Sequence, residues 1–192
     1  MSLIPKPYTS PWRLRFAAHW LRKGGIVAYP TEAVYGLGCD PTRTDALRKL
    51  LELKRRPWHK GLILIAARPV QFEPFLAPLD TERVERAHAH WPGPTTWLWP
   101  AQPWVSPLLR GEHHTLAVRV PGHPLARALC DAFGGALVST SANRSVQEPA
   151  RSPLEVRRKL GPCTAFIISG AVDRKARPSR IIDIRSGRIL RE

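Results

Sequence analysis

Four cations lie within seven residues at positions 54–60, between a helix-like apolar pattern and an uninterrupted apolar run; they are Lys54, Arg55, Arg56 and Lys60. A packed helix at one end of this loop and a buried strand at the other would hold the charges in place. Fixed positive charge beside a sheet suits a polyanion, such as a nucleoside triphosphate or a nucleic-acid backbone. Charge alone favours a solvated surface turn equally well, because charge runs usually face water.

Hydroxyl and amide side chains follow two short apolar runs. Thr31 comes after the run at 26–29, and Ser139, Ser141 and Asn143 come at the end of the run that starts at 136. In open α/β sheets, ligands bind in the crevice where strand ends meet, and such side chains can hold phosphates without titrating. The same residues are also common in turns, where they cap backbone groups, and that interpretation stays open.

Arg119 lies in an otherwise apolar strand pattern at 115–120, so it either faces solvent or reaches a carboxylate or phosphate in a cleft.

The sequence patterns of several other kinds of site are absent. Gly36 and Gly38 are not followed by the third glycine of a dinucleotide fingerprint, and no phosphate-loop, G-x-S-x-G or H-E-x-x-H motif occurs. The histidines do not combine with acids at a metal-ligand spacing, so a metal site built from side chains alone is not expected.

Apolar periodicity predicts the elements that would position these residues. Helices are expected over about 11–23, 44–54, 81–90, 125–133 and 154–160, and strands over 26–29, 62–66, 95–99, 115–120, 136–139, 165–168 and twice within 180–191, with a turn at Ser186-Gly187. This alternation predicts an α/β fold on a mixed sheet. Lys54 continues the buried stripe of its helix, where an ammonium destabilises unless something anionic meets it.

The totals restrict the class of protein. A chain of 192 residues that is 43% hydrophobic is expected to form one domain. A net charge of +15 indicates an anionic partner, such as RNA, DNA or a phosphorylated substrate. Cys39, Cys130 and Cys163 are far apart, which is typical of the reduced cytoplasm. With no membrane-span pattern and no signal-peptide pattern, we expect a cytoplasmic protein that does not enter a membrane.

Six motifs then occur in a familiar order. They are PTEAVYGLG at 30–38, Lys54-x-Arg56, WPGPT at 91–95, VRVP at 118–121, STSAN at 139–143 and PSR at 178–180. Together they resemble the YrdC/TsaC family, the threonylcarbamoyl-AMP synthases, and most of all its short bacterial TsaC form. The resemblance covers about 24–192. It implies one YrdC-like domain over 1–192, with a twisted mixed β-sheet flanked by helices and a basic concave face.

The resemblance also implies an activity. Members of the family combine L-threonine, bicarbonate and ATP into threonylcarbamoyl-AMP and pyrophosphate, with Mg²⁺ held through the ATP phosphates. The product passes to a machinery of TsaB, TsaD and TsaE that modifies an adenosine of tRNA. Contact with tRNA through the basic surface is a further expectation.

Site residues are carried over from the matching motifs. The resemblance implies a catalytic tetrad of Lys54, Arg56, Ser141 and Asn143. The expected ATP-binding residues are this tetrad with Lys60 and Thr115. The expected residues for L-threonine are Thr31, Arg119, Ser139 and Ser179, and Arg119 is expected to bind the substrate carboxylate.

Three departures from the family pattern affect individual contacts. Ala33 replaces a hydroxyl residue, Gly61 stands where proline is frequent, and Val146 replaces a glycine. We expect a lost substrate contact at Ala33, a looser loop at Gly61 and a different turn at Val146.

A non-catalytic RNA-binding module is the alternative from another class. The charge supports it, as do the basic clusters at 157–159 and 174–177. Binders of single strands place stacking aromatics among their cations, whereas the Trp residues fall mostly in the first helix and around 92–104. This distribution favours the enzyme. A carbamoyl-adenylate domain of the hydrogenase-maturation type is a third interpretation, less favoured because such domains normally belong to much longer chains.

Overall fold

The computed structural model describes residues 9–161, 165–173 and 175–192. The α-helices are α1 Pro11–Arg22, α2 Thr44–Lys54, α3 Thr81–Ala89, α4 Pro107–Arg110, α5 Pro124–Phe133 and α6 Pro153–Leu160. The strands are β1 Val27–Pro30, β2 Tyr35–Gly38, β3 Ile63–Ile65, β4 Thr95–Pro100, β5 Thr115–Arg119, β6 Leu137–Ser141, β7 Phe166–Ile167, β8 Arg180–Asp183 and β9 Ile189–Arg191. Short 3₁₀ turns occupy Trp58–Lys60 and Pro69–Phe75.

The strands within these residues form one mixed sheet in the order β7-β1-β2-β6-β3-β5-β4-β8-β9. The pairs β1/β7, β3/β5 and β4/β8 are parallel, and the other neighbours are antiparallel. The predicted α/β fold on a mixed sheet is therefore confirmed. The expected terminal hairpin is also present, because β8 and β9 pair on either side of the turn at Ser186-Gly187.

Strand β2 was missing from the predicted elements. Tyr35–Gly38 carries two glycines, which suggests a turn, but all four residues are buried and pair with β1 and β6. Gly38 has a packing reason to be glycine, since a Cβ there would lie 2.8 Å from the carbonyl oxygen of Val138. Both neighbouring strands approach too closely for a side chain at this point.

Apolar side chains cover both faces of the sheet. Helices α1 and α5 pack together on one face, over a core that includes Tyr29, Ile65 and Leu137. Helix α2 packs on the larger core, which includes Leu50 and Leu64. Cys39 and Cys130 are free and buried in these cores, whereas Cys163 lies outside the described residues. No helix of the described residues is both long and apolar enough to cross a membrane.

Candidate active site

A cleft of about 370 Å³ lies on the face of the sheet over β3 and its neighbouring strands, and it brings together six of the predicted site residues. These are Thr31, Arg56, Arg119, Ser139, Ser141 and Ser179. Ile63 and Ile65 of β3 form part of its wall. Ser139 lies opposite Ile63 and Arg119 lies opposite Ile65, on the two strands that flank β3. The expectation of a crevice beyond the strand ends was wrong in this detail, because the cleft runs across the sheet.

Four guanidinium groups line this cleft against a single carboxylate. They are Arg56, Arg119, Arg177 and Arg191, and the carboxylate is Glu32. The excess of positive charge suits an anionic ligand such as a phosphate or carboxylate. Within the described part of the chain, no group of three or more His, Cys, Asp or Glu side chains could hold a metal ion.

Lys54 lies behind the cleft wall rather than in it. Its side chain is on the buried stripe of α2, as the helical pattern predicts, and the residue is 2% exposed. The ammonium donates hydrogen bonds to the carbonyl oxygens of Ser141 and Asn143, the latter at 2.8 Å. The expected anionic partner is thus replaced by backbone carbonyls, and Lys54 does not line the cleft. Burial, and then the charge of Arg56, lower the pKa of Lys54 to about 8.

Asn143 is a positioning residue in this structure. Its side-chain nitrogen donates to the carbonyls of Arg144 at 2.9 Å and Gln147 at 2.7 Å, and its side-chain oxygen accepts from the Ser141 hydroxyl at 2.5 Å. These bonds use the amide on its own loop, and the residue is 9% exposed. In this structure Asn143 orients the Ser141 hydroxyl, which does line the cleft. The expectation that Asn143 helps to hold the phosphates of ATP stays a prediction.

Lys60 and Thr115 also lie outside the cleft lining. Lys60 is exposed on a 3₁₀ turn, and Thr115 begins β5 opposite Pro100. Both were expected to contact ATP, and the structure does not bring either into this cleft. The position of Lys60 comes from the turn at Trp58–Lys60, and that of Thr115 from the pairing of β5 with β4.

Arg56 is fixed by the loop that follows it. Its Nε and Nη2 donate to the carbonyl oxygen of Gly61 at 3.2 and 2.9 Å, and burial lowers its pKa. Gly61 has φ +63°, a conformation that proline cannot adopt, and a Cβ there would lie 2.8 Å from the Arg110 carbonyl oxygen. The expected looser loop at Gly61 is not observed, because the glycine is packed and its carbonyl is bonded.

The hydroxyls of the cleft are held by neighbours. Thr31 donates to the carbonyl of Val34 at 2.7 Å, and Ser139 accepts from the Tyr29 hydroxyl at 2.8 Å. Each still has lone pairs that a ligand donor could use. Ala33 lines the same cleft without a polar side chain, and the lost substrate contact expected there stays a prediction.

Arg119 is held at two of its three nitrogens. Nε donates to the carbonyl of Gly93 at 2.9 Å, and Nη2 pairs with the carboxylate of Glu32 at 2.5 Å. The same Glu32 oxygen accepts from the backbone N–H of Gly122 at 2.6 Å. Among the described residues Nη1 has no partner, so one donor edge of the guanidinium is left for a ligand carboxylate.

Arg191 is a site residue that the sequence reasoning missed. It donates to the carbonyl oxygen of Ser179 from Nε at 3.0 Å and from Nη2 at 2.6 Å, and Nη2 also reaches the Ser179 hydroxyl. Burial, and then the charge of Arg119, lower its pKa. The predicted hairpin was a partial signal, because it returns the last strand along β8; the observed register places Arg191 opposite Ile181, two residues from Ser179.

A second cavity of about 1080 Å³ adjoins the cleft. Glu32, Arg177 and Pro178 line both spaces, so the Glu32–Arg119 pair is part of the wall between them. The segment from Gly170 to Asp173 is tied down beside this wall. Tyr35 donates to the Gly170 carbonyl at 2.7 Å, and the Asp173 N–H donates to the Glu32 carbonyl at 2.7 Å.

The sequence matches a known family model over most of its length. The model is that of the Sua5/YciO/YrdC family, described as "Telomere recombination", and it matches residues 19–192. The chain belongs to this family. The six motifs that suggested the YrdC/TsaC resemblance all fall within the matched residues.

Relatives of this Sua5/YciO/YrdC chain carry informative names. A protein of Halorhodospira halophila called threonylcarbamoyl-AMP synthase is 55% identical, over 96% of this chain and 97% of its own. A crystal structure of P. abyssi Sua5 complexed with L-threonine matches with a TM-score of 0.84 and 33% identity, over 91% of this chain and 51% of that one. E. coli YciO matches with a TM-score of 0.83 and 26% identity, over 97% of this chain and 92% of that one.

Proposed function

We propose that this chain is a threonylcarbamoyl-AMP synthase, a nucleotidyltransferase that uses L-threonine, bicarbonate and ATP. The observation that carries the proposal is that Arg56, Arg119 and Ser141 line one cleft of about 370 Å³. A guanidinium at one end of the cleft, and a guanidinium with a hydroxyl at the other, suit a ligand with both a carboxylate and a phosphate. The name shared by relatives at 52 to 55% identity supports the same activity.

The reaction needs two bonds to form. The amine of threonine adds to bicarbonate and gives a carbamate with loss of water. A carbamate oxygen then attacks the α-phosphorus of ATP, and pyrophosphate leaves. Mg²⁺ enters with ATP, coordinated by its phosphates.

The chain positions the two substrates and stabilises charge. Arg119 binds the threonine carboxylate through its remaining donor edge, near Thr31, Ser139 and Ser179. Arg56 and the Ser141 hydroxyl face the phosphates. Lys54 lies directly behind Ser141 and adds positive charge to this end of the cleft without touching the ligand.

The proposal extends to the cellular setting. We place the enzyme in the cytoplasm, where its product would pass to the TsaB, TsaD and TsaE machinery for tRNA modification. A non-catalytic RNA-binding module is not favoured as the whole function, because relatives of nearly equal length carry the name of the synthase.

The deciding experiment is substrate dependence. Purified protein with ATP, bicarbonate and Mg²⁺ should release pyrophosphate only when L-threonine is added. Replacing Arg119 with Ala should abolish the threonine-dependent release of pyrophosphate. Pyrophosphate release that is independent of threonine would contradict the proposal.

A further inference from the structure

Helix α1 exposes a line of aromatic rings that the active site does not use. Trp12, Phe16 and Trp20 are 62%, 39% and 43% exposed. They recur every fourth residue, so they follow one side of the helix with an axial spacing of about 6 Å. The opposite side, with Ala17, Ala18 and Leu21, is buried. None of the α1 residues lines either cavity.

The rings form a platform in two parts. Trp12 and Phe16 are stacked, with ring centroids 5.5 Å apart and planes 24° from parallel. Phe16 also contacts Phe166 of β7 at 5.1 Å. Trp20 forms the second part and packs against Gly25, where an added Cβ would lie 2.1 Å from the indole nitrogen. Ring faces that are already ordered in this way can stack with a planar ligand at little further loss of entropy.

Helix α1 places cations beside the platform and contributes no carboxylate. The helix and the residue after it contain Arg13, Arg15, Arg22 and Lys23, and this segment has no Asp or Glu. Arg13 and Arg22 also bind backbone carbonyls of the protein. Arg15 and Lys23 are exposed, and within residues 9–161, 165–173 and 175–192 their side chains have no hydrogen-bond or ion-pair partner.

We propose that this platform, Trp12, Phe16 and Trp20 with the cations beside them, is a docking surface for a single-stranded segment of RNA. Bases stack on exposed rings, and the neighbouring cations meet the phosphates. The arrangement corrects the sequence argument that separated the aromatics from the basic residues, because both types occur on α1 itself. A helix that lies in a membrane surface buries a wide apolar face of Trp, Phe and Leu, whereas Leu14 and Leu21 of α1 pack on the protein core and leave only the rings as large exposed apolar groups.

The surface is distinct from the cleft and does not depend on the proposed synthase activity. Binding is therefore measured directly, as the fluorescence anisotropy of a short, labelled single-stranded RNA with the full-length protein. Trp12→Ala should weaken binding about tenfold, the effect of removing one stacked base. Arg15→Ala should reduce the slope of log affinity against log salt concentration by about one. Trp12→Ala should leave threonine-dependent pyrophosphate release unchanged.

Trp104→Ala is the matched control, since Trp104 is 61% exposed and lies far from α1 in the sequence. RNA binding that is weakened equally by Trp12→Ala and Trp104→Ala would overturn the proposal, as would no effect of either change.

Two further measurements test other occupants of the platform. Binding to anionic vesicles of phosphatidylglycerol and phosphatidylcholine tests a membrane surface. If the protein binds vesicles and not RNA, and Trp12→Ala abolishes the vesicle binding, the platform is assigned to a lipid surface instead. Sedimentation tests a second copy: a dimer that Trp12→Ala dissociates would also overturn the proposal.

Discussion

The Glu32 carboxylate pairs with the Arg119 guanidinium, with 2.5 Å between Oε1 and Nη2, where the cleft and the larger cavity share a wall. The pair is mostly buried, with side-chain exposures of 24% for Glu32 and 14% for Arg119. The second oxygen of Glu32 is buried and has no partner among the described residues. Within this part of the chain Glu32 therefore accepts hydrogen bonds through Oε1 alone, and its bond to Nη2 fixes the orientation of the Arg119 guanidinium.

Replacing Glu32 with Gln should disturb this orientation. A neutral amide accepts a weaker hydrogen bond from a guanidinium than a carboxylate does, and its N–H₂ group would replace a buried oxygen that has no partner. We expect KM for threonine to rise about tenfold, as for the loss of one charge-assisted bond, with a smaller change in kcat. Initial rates at varied threonine and at varied ATP measure the effect.

The exposed Glu112 provides the control for this change, because Glu112→Gln removes the same charge away from the cleft. Equal increases in KM for threonine and for ATP in Glu32→Gln would indicate a general loss of structure. An unchanged KM for threonine would mean that Arg119 does not need Glu32 for its orientation.

Lys54 should matter more than a surface cation although it does not line the cleft. Lys54→Ala removes the donor that binds two carbonyls of the Ser141 loop, together with the charge behind that loop. We expect threonine-dependent pyrophosphate release to fall about a hundredfold, the effect of losing one preorganised electrostatic group. Arg158→Ala removes an exposed charge on α6 and should change the rate less than twofold. Equal losses would point to a diffuse effect of basic charge.

Because the pKa of Lys54 is lowered, raising the pH should decrease the activity and increase the stability of the protein. The ammonium loses its proton near pH 8 in the folded chain and near 10.5 in the unfolded chain. Between these values the unfolded state binds more protons, so the free energy of unfolding gains a contribution that increases with pH. Activity that needs the ammonium should fall over the same interval. Urea unfolding and initial rates across pH 8 to 10.5 test both trends.

Lys54→Met carries no titrating group at this position and serves as the reference. The difference in stability between the wild-type protein and Lys54→Met should change with pH, and the change should be in favour of the wild type as pH rises. A difference that is constant with pH would show that the buried amine does not titrate in this interval.

Val146 carries strain that glycine would relieve. It has φ +72°, the left-handed conformation that suits glycine and opposes a β-branched side chain, and its side chain is fully exposed. The turn thus keeps a backbone conformation that is ordinary for glycine, and the expected difference is that Val146 is strained in it. Val146→Gly should raise the free energy of unfolding by about 1 kcal/mol, since the strain relieved exceeds the added entropy of the unfolded chain. Thermal unfolding should shift upwards by about 2–4 °C.

Val70 is a suitable control because it is also exposed but lies in a 3₁₀ turn with negative φ. Val70→Gly should lower stability. If both changes lower stability equally, the turn at Val146 is not strained.

Most of the fold follows from apolar periodicity, because a helix or strand that buries one face must repeat its apolar residues at a fixed spacing. Helix α2 runs from Thr44 to Lys54 as predicted, and the hairpin at the end of the chain has the expected turn. Strand β2 escaped because two glycines, Gly36 and Gly38, stand beside its large buried residues Tyr35 and Leu37, and glycines suggest a turn. Helix α1 shows another limit: the pattern places Trp12, Phe16 and Trp20 on one side, but only the packing of α5 decides which side is covered.

The sequence predicted residues that line the cleft better than it predicted how Lys54 and Asn143 support them from behind. Residue types and motif order indicated Arg119 and Ser141, which do line the cleft. The bonds from Lys54 and Asn143 to the Ser141 loop involve backbone carbonyls, which every residue carries, so no side-chain pattern could reveal them.

Arg191 should be as important as Arg119, although it stands next to the end of the chain. Burial, and then the nearby charge of Arg119, lower the pKa of Arg191, so the two cations repel each other until an anion enters. It also holds Ser179 through three hydrogen bonds. Arg191→Ala should therefore lower kcat/KM at least tenfold, the loss of one charged contact to the ligand, while stability changes little because the repulsion is relieved. Arg188→Ala, an exposed change in the same hairpin, is the control for the rate measurement. A normal rate in Arg191→Ala would show that the cleft binds its anion without the terminal strand.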